Sequence, residues 1–287
     1  MRGVSMSAKS VSPKWSLMRS GAFAALLLTT ACANSGNDVP LDSLSDREIF
    51  ALGESQLADR KADDAAFSFG EIERLYPYSE LGARALIKQA YAYHADGNFD
   101  SSRAAARRYL DFYPREQDAA YAAYLVALSY YDQIDEIGRD QGLTLNALRA
   151  LQVVIERFPE SEYAQTSQQK FALAFSILAA KEMEVGRYYL RRGHYLAAAN
   201  RFRTVVESFE TTVHTAEALH RLVEAYLSLG LIAEAQTAAA ILGYNYQGSE
   251  WYAASYDLLA ARGLTAAPTG DNWLTGLYAR AAAGSQT

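Results

Sequence analysis

Cysteine and histidine are scarce in this sequence. Cys32 is the only cysteine among 287 residues, so an intramolecular disulfide framework is excluded. The four histidines are His94, His194, His214 and His220, and no two of them stand three or four positions apart, as a pair of ligands on one helix face would. No His-Glu-x-x-His, Gly-x-Ser-x-Gly or phosphate-loop motif occurs. We therefore expect no catalytic residues, no metal site and no cofactor.

Long apolar runs and positive charge are also in short supply. The apolar stretch at 22–28 is far shorter than the roughly 20 residues needed to cross a bilayer, and no later segment is apolar enough. Without the four basic residues of the first 31 positions, the chain has 23 basic and 33 acidic residues, a net charge of −10. Such a chain lacks the basic footprint of a nucleic-acid-binding protein.

The N-terminal residues follow the order of an export signal. Basic residues come first, the apolar stretch at 22–28 follows, and small residues lead into Cys32. The arrangement predicts a lipoprotein signal peptide at 1–31 and an acylated tether at 32–44, with Cys32 as the lipid anchor. In the usual motif leucine stands three residues before the cysteine, where this chain has Thr29. The alternative is a chance cysteine beside an ordinary cleavage site.

Four later segments end alike, each with an amphipathic helix end and then an aromatic residue. They lie at 72–77, 109–114, 154–159 and 205–210. In the first three a proline follows the aromatic residue and ends the helix, and these prolines are 37 and 45 residues apart. The period predicts an all-α tetratricopeptide-repeat solenoid of about five helix pairs plus a C-terminal capping helix. The pairs are expected at 45–77, 79–114, 117–159, 162–210 and 212–243, and the capping helix at 249–261 with Ser249 as its N-cap.

Small and large residues recur at fixed places within the pairs. Turn residues are expected at Gly97, Gly142, Gly193 and Gly230, with Arg60 in the first pair. Small residues that let two helices approach are Ala65, Ser102, Ala147, Ala198 and Ala235. Large apolar residues recur at Phe69, Leu151 and Phe202. Gly53 and Gly186 occupy the small position at the helix crossing, where an aromatic side chain of a neighbour is expected to fill the remaining volume.

These pairs divide the mature chain into two functional parts. Residues 45–159, the first three pairs, are expected to form a substrate groove. Residues 160–261, with the last two pairs and the capping helix, are expected to dock a partner, and their first helix is unusually long, at about 161–192. An inserted loop lies at 132–140. Residues 262–287 are predicted to be a flexible tail, with a short docking helix around Trp273, Leu277 and Tyr278 as the alternative.

First helices line the concave wall of such a solenoid. The template places the peptide groove along Phe50, Arg84, Tyr91, His94, Tyr121 and Tyr124. Tyrosine offers apolar area and a hydrogen-bonding tip at low entropic cost. For Tyr91, Tyr121 and Tyr124 a place in the core between repeats is an equal alternative.

Arginines are concentrated in the fourth pair. They are Arg187, Arg191, Arg192, Arg201 and Arg203. A basic cluster in an acidic protein can receive the carboxylates of a partner. The alternative is pairing with Glu182, Glu184 and Glu207, where surface ion pairs contribute little.

From Asp46 to about Leu259 the chain resembles the BamD family, lipoproteins of the β-barrel assembly machinery of the bacterial outer membrane. The matching segments are Glu73–Ser79, Tyr91–Tyr93, Ala122–Leu125, Arg139-Asp140, Tyr188–Gly193 and Asn200-Arg201. The family's aromatic stretch before Tyr188 is replaced here by the sequence of 181–186, so substrate contacts in that stretch are not expected.

The resemblance implies a non-catalytic protein on the periplasmic face of the outer membrane. Its C-terminal pairs would dock on the POTRA domains of a BamA-like barrel protein. Arg201 matches the family's arginine at this contact, and the further residues expected to bind the partner are Asn200, Arg191, Arg192, Tyr188 and Tyr189. Tyr188 and Tyr189 also match family positions near a substrate-binding path. Its N-terminal pairs would receive unfolded outer membrane proteins, and other lipoproteins of the same complex would be further partners.

Two other classes of protein fit some of these features. A repeat lipoprotein that assists pilus secretin assembly or cell-wall constriction would share the anchor and the helix pairs. An all-helical cell-wall hydrolase would share the fold but would need carboxylates that no motif identifies.

Overall fold

The computed structural model describes residues 40–134 and 141–284. Cys32 and the signal segment, the Arg139-Asp140 match and the last three residues lie outside this part of the chain. The described part is an all-α repeat solenoid, which confirms the predicted fold class.

Five helix pairs follow a 3-10 turn at Leu41–Ser43. They are α1 (Asp46–Ala58) with α2 (Ala62–Leu75), α3 (Gly82–Ala95) with α4 (Phe99–Phe112), α5 (Ala119–Tyr131) with α6 (Gly142–Arg157), α7 (Glu162–Arg191) with α8 (Tyr195–Ser208), and α9 (Thr215–Leu229) with α10 (Ile232–Asn245). The remaining helices are α11 (Glu250–Ala260) and α12 (Trp273–Gly284).

Each pair closes on the small residues that the repeat predicted. Ala65, Ser102, Ala147, Ala198 and Ala235 are all fully buried. A Cβ added to Gly53 would lie 2.8 Å from Phe69 Cε1, and one added to Gly186 would lie 2.5 Å from Phe202 Cε1. A ring thus fills the space that each glycine leaves, as the knob-into-hole expectation required.

The turns between paired helices follow the prediction in four pairs and depart from it in one. Gly97, Gly193 and Gly230 have φ of 79°, 74° and 75°, and Arg60 takes the same left-handed conformation at 62°. The prediction for Gly142 was wrong, because it is the first residue of α6 rather than a turn residue. The insertion before α6 lengthens the connection, so this helix starts five residues before its buried small residue, Ala147, instead of three.

Helix α7 joins the two parts of the solenoid. It runs for 30 residues without a proline, close to the predicted 161–192. Its first half contributes Tyr163 and Phe171 to the apolar cluster of the third pair. Its second half contributes Ala179 and Met183 to the cluster of the C-terminal pairs. One continuous helix therefore carries both cores.

The C-terminal segment is not a flexible tail as far as residue 284. Residues 273–284 form α12, which packs on α10 and buries Leu274 completely. The indole Nε1 of Trp273 donates to the Tyr226 hydroxyl at 3.2 Å, and the side chain of Asn272 accepts from the backbone N–H of Leu274. Burial of two large apolar side chains next to α10 explains why the segment is ordered. The alternative prediction, a short helix around Trp273, agrees with the structure in its secondary structure. The helix packs on α10 of the same chain.

Helix α11 caps the fifth pair as predicted. Ser249 is its N-cap, and the Ser249 Oγ accepts from the N–H of Tyr252 at 3.2 Å. Leu259 anchors the helix in the C-terminal cluster. Among the described helices, none is long and apolar enough to cross a membrane.

Candidate binding surfaces

Three tyrosines from two repeats stack on the side of the first helices. Tyr121 and Tyr124 of α5 both contact Tyr163 of α7, with ring centroids 5.3 Å and 5.2 Å apart. Tyr91 of α3 is 42% exposed, and its proximity to Tyr121 is one reason why the pKa of Tyr121 is raised. We call Tyr91, Tyr121, Tyr124 and Tyr163 the aromatic wall.

Tyr121 and Tyr124 of the aromatic wall are neutral phenols, because their pKa values are raised. Burial is the main reason why the pKa values of Tyr121 and Tyr124 are raised, with neighbouring tyrosines adding to the effect. Both rings are half-buried, so each offers an apolar edge while its hydroxyl stays protonated. The wall can therefore contact apolar side chains and donate hydrogen bonds to peptide carbonyls.

Sequence reasoning missed Tyr163. It lies in the first turn of α7, and the unusual length of this helix obscured where the repeat template should be placed on it. The proline at 159, three residues before the helix begins, was the available signal, because it fixes where α7 can start.

Phe50 is a core residue and not part of a groove. It is 6% exposed and packs edge-on against Phe69 at 5.3 Å between centroids. The guanidinium of Arg84 lies 4.9 Å from the Phe50 ring centroid. Arg84 itself is exposed, and it covers Phe50 from the solvent.

His94 makes a contact between repeats. Its Nε2 lies 3.1 Å from the carboxylate of Asp132, at ion-pair distance but without hydrogen-bond alignment. The imidazole also packs edge-on against Phe99 at 5.2 Å. The contact with Asp132 links the second pair to the end of α5, so His94 is not a free groove residue.

The aromatic surface continues along α7 beyond the predicted residues. Phe171 stacks on Phe175 at 5.9 Å, and Phe175 contacts Phe209 at 4.8 Å. The ammonium of Lys170 lies 4.2 Å from the Tyr131 ring centroid. Leu173 is 59% exposed on the same helix.

Three arginines of the fourth pair form ion pairs within the chain. Arg201 contacts Glu182 at 3.1 Å, Arg203 contacts Glu207 at 2.9 Å, and Arg187 contacts Glu217 at 2.8 Å. These three arginines therefore form ion pairs on the surface of the chain, which was the alternative to partner docking. Arg201 and Arg203 pair with predicted glutamates. The Arg201 side chain remains 46% exposed, so its ion pair is open to exchange with an external carboxylate.

The other residues predicted for partner contact lie nearby in the fold. Tyr188 and Tyr189 pack edge-on at 5.7 Å near the end of α7, and the Arg192 guanidinium lies 4.6 Å from the Tyr188 ring. Tyr189 is half-buried against the C-terminal cluster, whereas Tyr188 is 45% exposed. Arg191 and Arg192 are exposed at the turn into α8, and Asn200 is exposed beside Arg201 on α8.

Comparison with known proteins connects this architecture to a family. The family model described as "YfiO: Outer membrane lipoprotein" matches residues 42–241. The outer membrane protein assembly factor BamD of Caulobacter vibrioides is 42% identical over 216 residues, covering 75% of this chain and 71% of the relative. The BamD protein of Rickettsia prowazekii is 37% identical over 225 residues, covering 78% and 88%. That of Neisseria meningitidis serogroup A is 28% identical over 237 residues, covering 78% and 89%. The model match spans four of the five helix pairs completely and reaches into the last helix of the fifth, and this chain belongs to the YfiO (BamD) family of outer membrane lipoproteins.

Proposed function

We propose that this protein is a lipid-anchored adaptor that receives unfolded outer membrane proteins and passes them to a barrel-type partner. A role in outer membrane protein assembly, without catalysis, and an association with the outer membrane follow from its family. The observation that carries the finer proposal is the separation of two surfaces along one continuous helix. The aromatic wall includes Tyr163 near the start of α7, and the exposed Arg191 lies at its end.

The aromatic wall is proposed to receive the substrate. An extended peptide with aromatic residues at alternate positions can place its rings against Tyr91, Tyr121 and Tyr124 while its carbonyls accept from their hydroxyls. The test is binding of a labelled peptide from the C-terminal strand of an outer membrane barrel. Replacing both Tyr121 and Tyr124 with alanine should weaken binding by about thirtyfold, since each of the two aromatic contacts contributes about 1 kcal/mol. Tyr78→Ala, at a side chain that is 99% exposed, is the control.

Arg201 is proposed to hold the partner, through carboxylates on the POTRA domains of a BamA-like barrel protein. Arg201→Glu should release that protein from the native complex during gentle extraction, while Arg157→Glu, at an exposed arginine of α6, should not. Retention of the complex at moderate salt would count against the assignment.

A second variant separates docking from folding. Arg201→Glu combined with Glu182→Arg exchanges the charges of the internal ion pair without losing it. The double variant should restore thermal stability but not partner binding. If it restored both, the role of Arg201 would be internal.

Cys32 is proposed to carry the lipid anchor, and other lipoproteins of the assembly complex are proposed as neighbours on the membrane. Cys32→Ser should remove the chain from the outer membrane fraction, because the cysteine is both the acylated residue and the first residue after the predicted cleavage site. If it remained in the outer membrane at the wild-type level, another contact would be responsible for attachment.

A further inference from the structure

A second, apolar groove lies on the side of the second helices. It opens between α4 and α6, with α5 as its floor, and encloses a cavity of about 270 Å³. Leu110, Val126 and Val153 make up much of its apolar lining. At its edges, the Arg107 guanidinium donates to the Tyr130 hydroxyl at 3.0 Å, and Arg149 donates to the Asn146 side chain at 3.4 Å. Both acceptors are neutral, and among the described residues neither guanidinium forms an ion pair, so the two positive charges are not compensated within this part of the chain.

The same groove recurs between α8 and α10, with α9 as its floor. Arg107 and Arg203 are each the ninth residue of their helices, α4 and α8. Tyr130 and Tyr226 are each the twelfth residue of theirs, α5 and α9. The floor positions correspond as well, since Val126 has its counterpart in Leu222. The two grooves are therefore built from equivalent positions of the repeat.

In the groove between α8 and α10, the chain supplies its own ligand. The Arg203 guanidinium lies 4.6 Å from the Trp273 ring centroid, and the Tyr226 hydroxyl accepts from the Trp273 Nε1 at 3.2 Å. Leu274 is buried in the same cluster as Leu222. The arginine and the tyrosine thus hold a tryptophan at the start of α12.

Charge distinguishes the two grooves. The position two residues after the buried small residue is occupied by Thr237 in α10, after Ala235, and by Arg149 in α6, after Ala147. The Thr237 hydroxyl accepts from the Thr269 N–H at 3.0 Å and lies 3.2 Å from the Thr269 carbonyl oxygen, so this position contacts the segment before α12. The residue directly before the buried small residue is Glu234 in α10 and Asn146 in α6. The groove between α4 and α6 is thus more basic than the one that α12 fills.

We propose that the groove between α4 and α6 binds a short helix of a partner protein that resembles α12. This helix carries an aromatic side chain in its first turn, an apolar residue after it, and a carboxylate in the preceding segment. The aromatic ring lies against Arg107 and Tyr130, the apolar residue lies on the floor, and the carboxylate pairs with Arg149. The proposal does not depend on the proposed function, because it concerns the other side of the repeats.

The probe is a fluorescein-labelled peptide with the sequence of residues 267–284 and the change Thr269→Asp. Its binding to the full mature chain is followed by fluorescence anisotropy, beside the unchanged peptide. The Asp peptide should bind more tightly, and Arg149→Thr should weaken it about tenfold, the size of a hydrogen bond between charged groups. The unchanged peptide should bind the Arg149→Thr variant at least as tightly as the original chain, because threonine at this position matches Thr237, which contacts the backbone of Thr269. Arg107→Ala should weaken both peptides about threefold, by loss of a cation–π contact.

Ala150→Trp fills the groove from α6 and should abolish binding of both peptides. Ala104→Trp, at an exposed position of α4 outside the groove lining, is the matched control and should leave binding unchanged. Binding that survives Ala150→Trp would overturn the proposal, because the peptide would then sit elsewhere, for example in exchange with α12. Absence of binding at millimolar peptide would also overturn it. A concentration-dependent dimer that dissociates with both Ala150→Trp and Trp273→Ala would replace the partner with a second copy of this chain.

Discussion

The N-terminal and C-terminal parts of this solenoid use one repeat but bury their apolar surface differently. In the first three pairs, the buried residues that the structure describes form three smaller clusters, two of which share Leu110 and Phe158 at their edges. In the last two pairs, one continuous cluster extends from Ala179 of α7 to Leu274 of α12. Because a repeat protein is stabilised mainly by contacts between neighbours, the C-terminal part should unfold as one unit and the N-terminal part pair by pair.

This difference is consistent with the proposed division of labour. A docking platform benefits from rigidity, and the C-terminal part is closed at its end by α11 and α12. A groove that receives unfolded chains of many sequences benefits from repeats that can shift relative to each other. The predictions below test this contrast, from the largest expected effect to the smallest.

Phe202→Ala should have the largest effect. The ring is fully buried against Gly186 in the C-terminal cluster, and loss of a buried phenylalanine costs about 3–5 kcal/mol. Urea unfolding followed by circular dichroism should show the C-terminal transition moving to lower urea, with the N-terminal transition nearly unchanged. Phe67→Ala, at a phenylalanine that is 61% exposed on α2, is the control and should change stability by less than about 0.5 kcal/mol. A single transition that shifts as a whole would contradict the contrast between the two parts.

Gly186→Ala should destabilise the same unit by about 1–3 kcal/mol. The added methyl group would lie 2.5 Å from the Phe202 ring, and the overlap outweighs the better helix propensity of alanine. Phe202→Leu in the same chain should recover part of the loss, so the two changes should not be additive in a double-mutant cycle. Gly276→Ala in α12, where an added Cβ meets nothing within 4 Å, should not destabilise the protein. Additive effects of Gly186→Ala and Phe202→Leu would show that the two residues do not share one space.

Gly186 and Phe202 also illustrate what could be read from the sequence. The five pairs, the small residues at helix crossings and the capping helix followed from spacing alone, because the repeat imposes the same local packing each time. The burial of Phe50 and the helix formed by residues 273–284 could not be predicted from spacing. Burial of Phe50 depends on Arg84 from the next pair, and α12 depends on a groove formed by three separate helices. Such contacts are not repeated along the chain, so periodicity does not reveal them.

The aromatic wall shows the same limit at a binding surface. Tyr121 and Tyr124 were identified from the template, but their stacking partner Tyr163 was not. The residue lies across a repeat boundary, where α7 departs from the usual helix length. The inserted loop likewise led the template to assign a turn to Gly142, which belongs to α6. The sequence-based predictions were thus least accurate where helix length or loop length departs from the repeat.

Acid should destabilise the C-terminal part through His220. Burial lowers the pKa of this imidazole, whose Nδ1 lies 2.8 Å from the Ser255 Oγ at the contact between α9 and α11. Glu224, at 3.8 Å from Nε2, acts in the opposite direction, and Arg221 acts in the same direction as burial. Burial also lowers the pKa of His214. Because the unfolded chain binds these protons more readily, stability should fall as the pH drops through about 6.5 toward the lowered values.

The measurement is the free energy of unfolding at pH 7.5 and pH 5.5. His220→Gln should reduce the difference between the two pH values, and addition of His214→Gln should reduce it further, each by about 1 kcal/mol or less. His194→Gln removes an exposed imidazole and is the control. An unchanged difference in the His220→Gln variant would exclude this histidine as a source of acid sensitivity.

The smallest expected effects come from the two serine caps at opposite ends of the solenoid. Ser45 caps α1 in a capping box, in which its N–H donates to Glu48 at 2.8 Å and its Oγ accepts from the Glu48 N–H at 3.3 Å. Ser249 caps α11 with a single such bond. Replacement of either serine by alanine should cost about 1 kcal/mol or less.

The two caps should nevertheless differ in how far their loss is felt, and amide hydrogen exchange can measure this. Helix α1 contacts mainly α2, so Ser45→Ala should raise exchange in α1 alone. Helix α11 packs on both α9 and α10 through the continuous C-terminal cluster, so Ser249→Ala should raise exchange in α9 and α11 together. Because both changes remove the same kind of bond, a difference in the reach of the effect must come from the packing behind each helix. If exchange rose only in the capped helix in both variants, the helices of the continuous cluster would open independently of one another. The two parts would then differ in the composition of their cores but not in cooperativity.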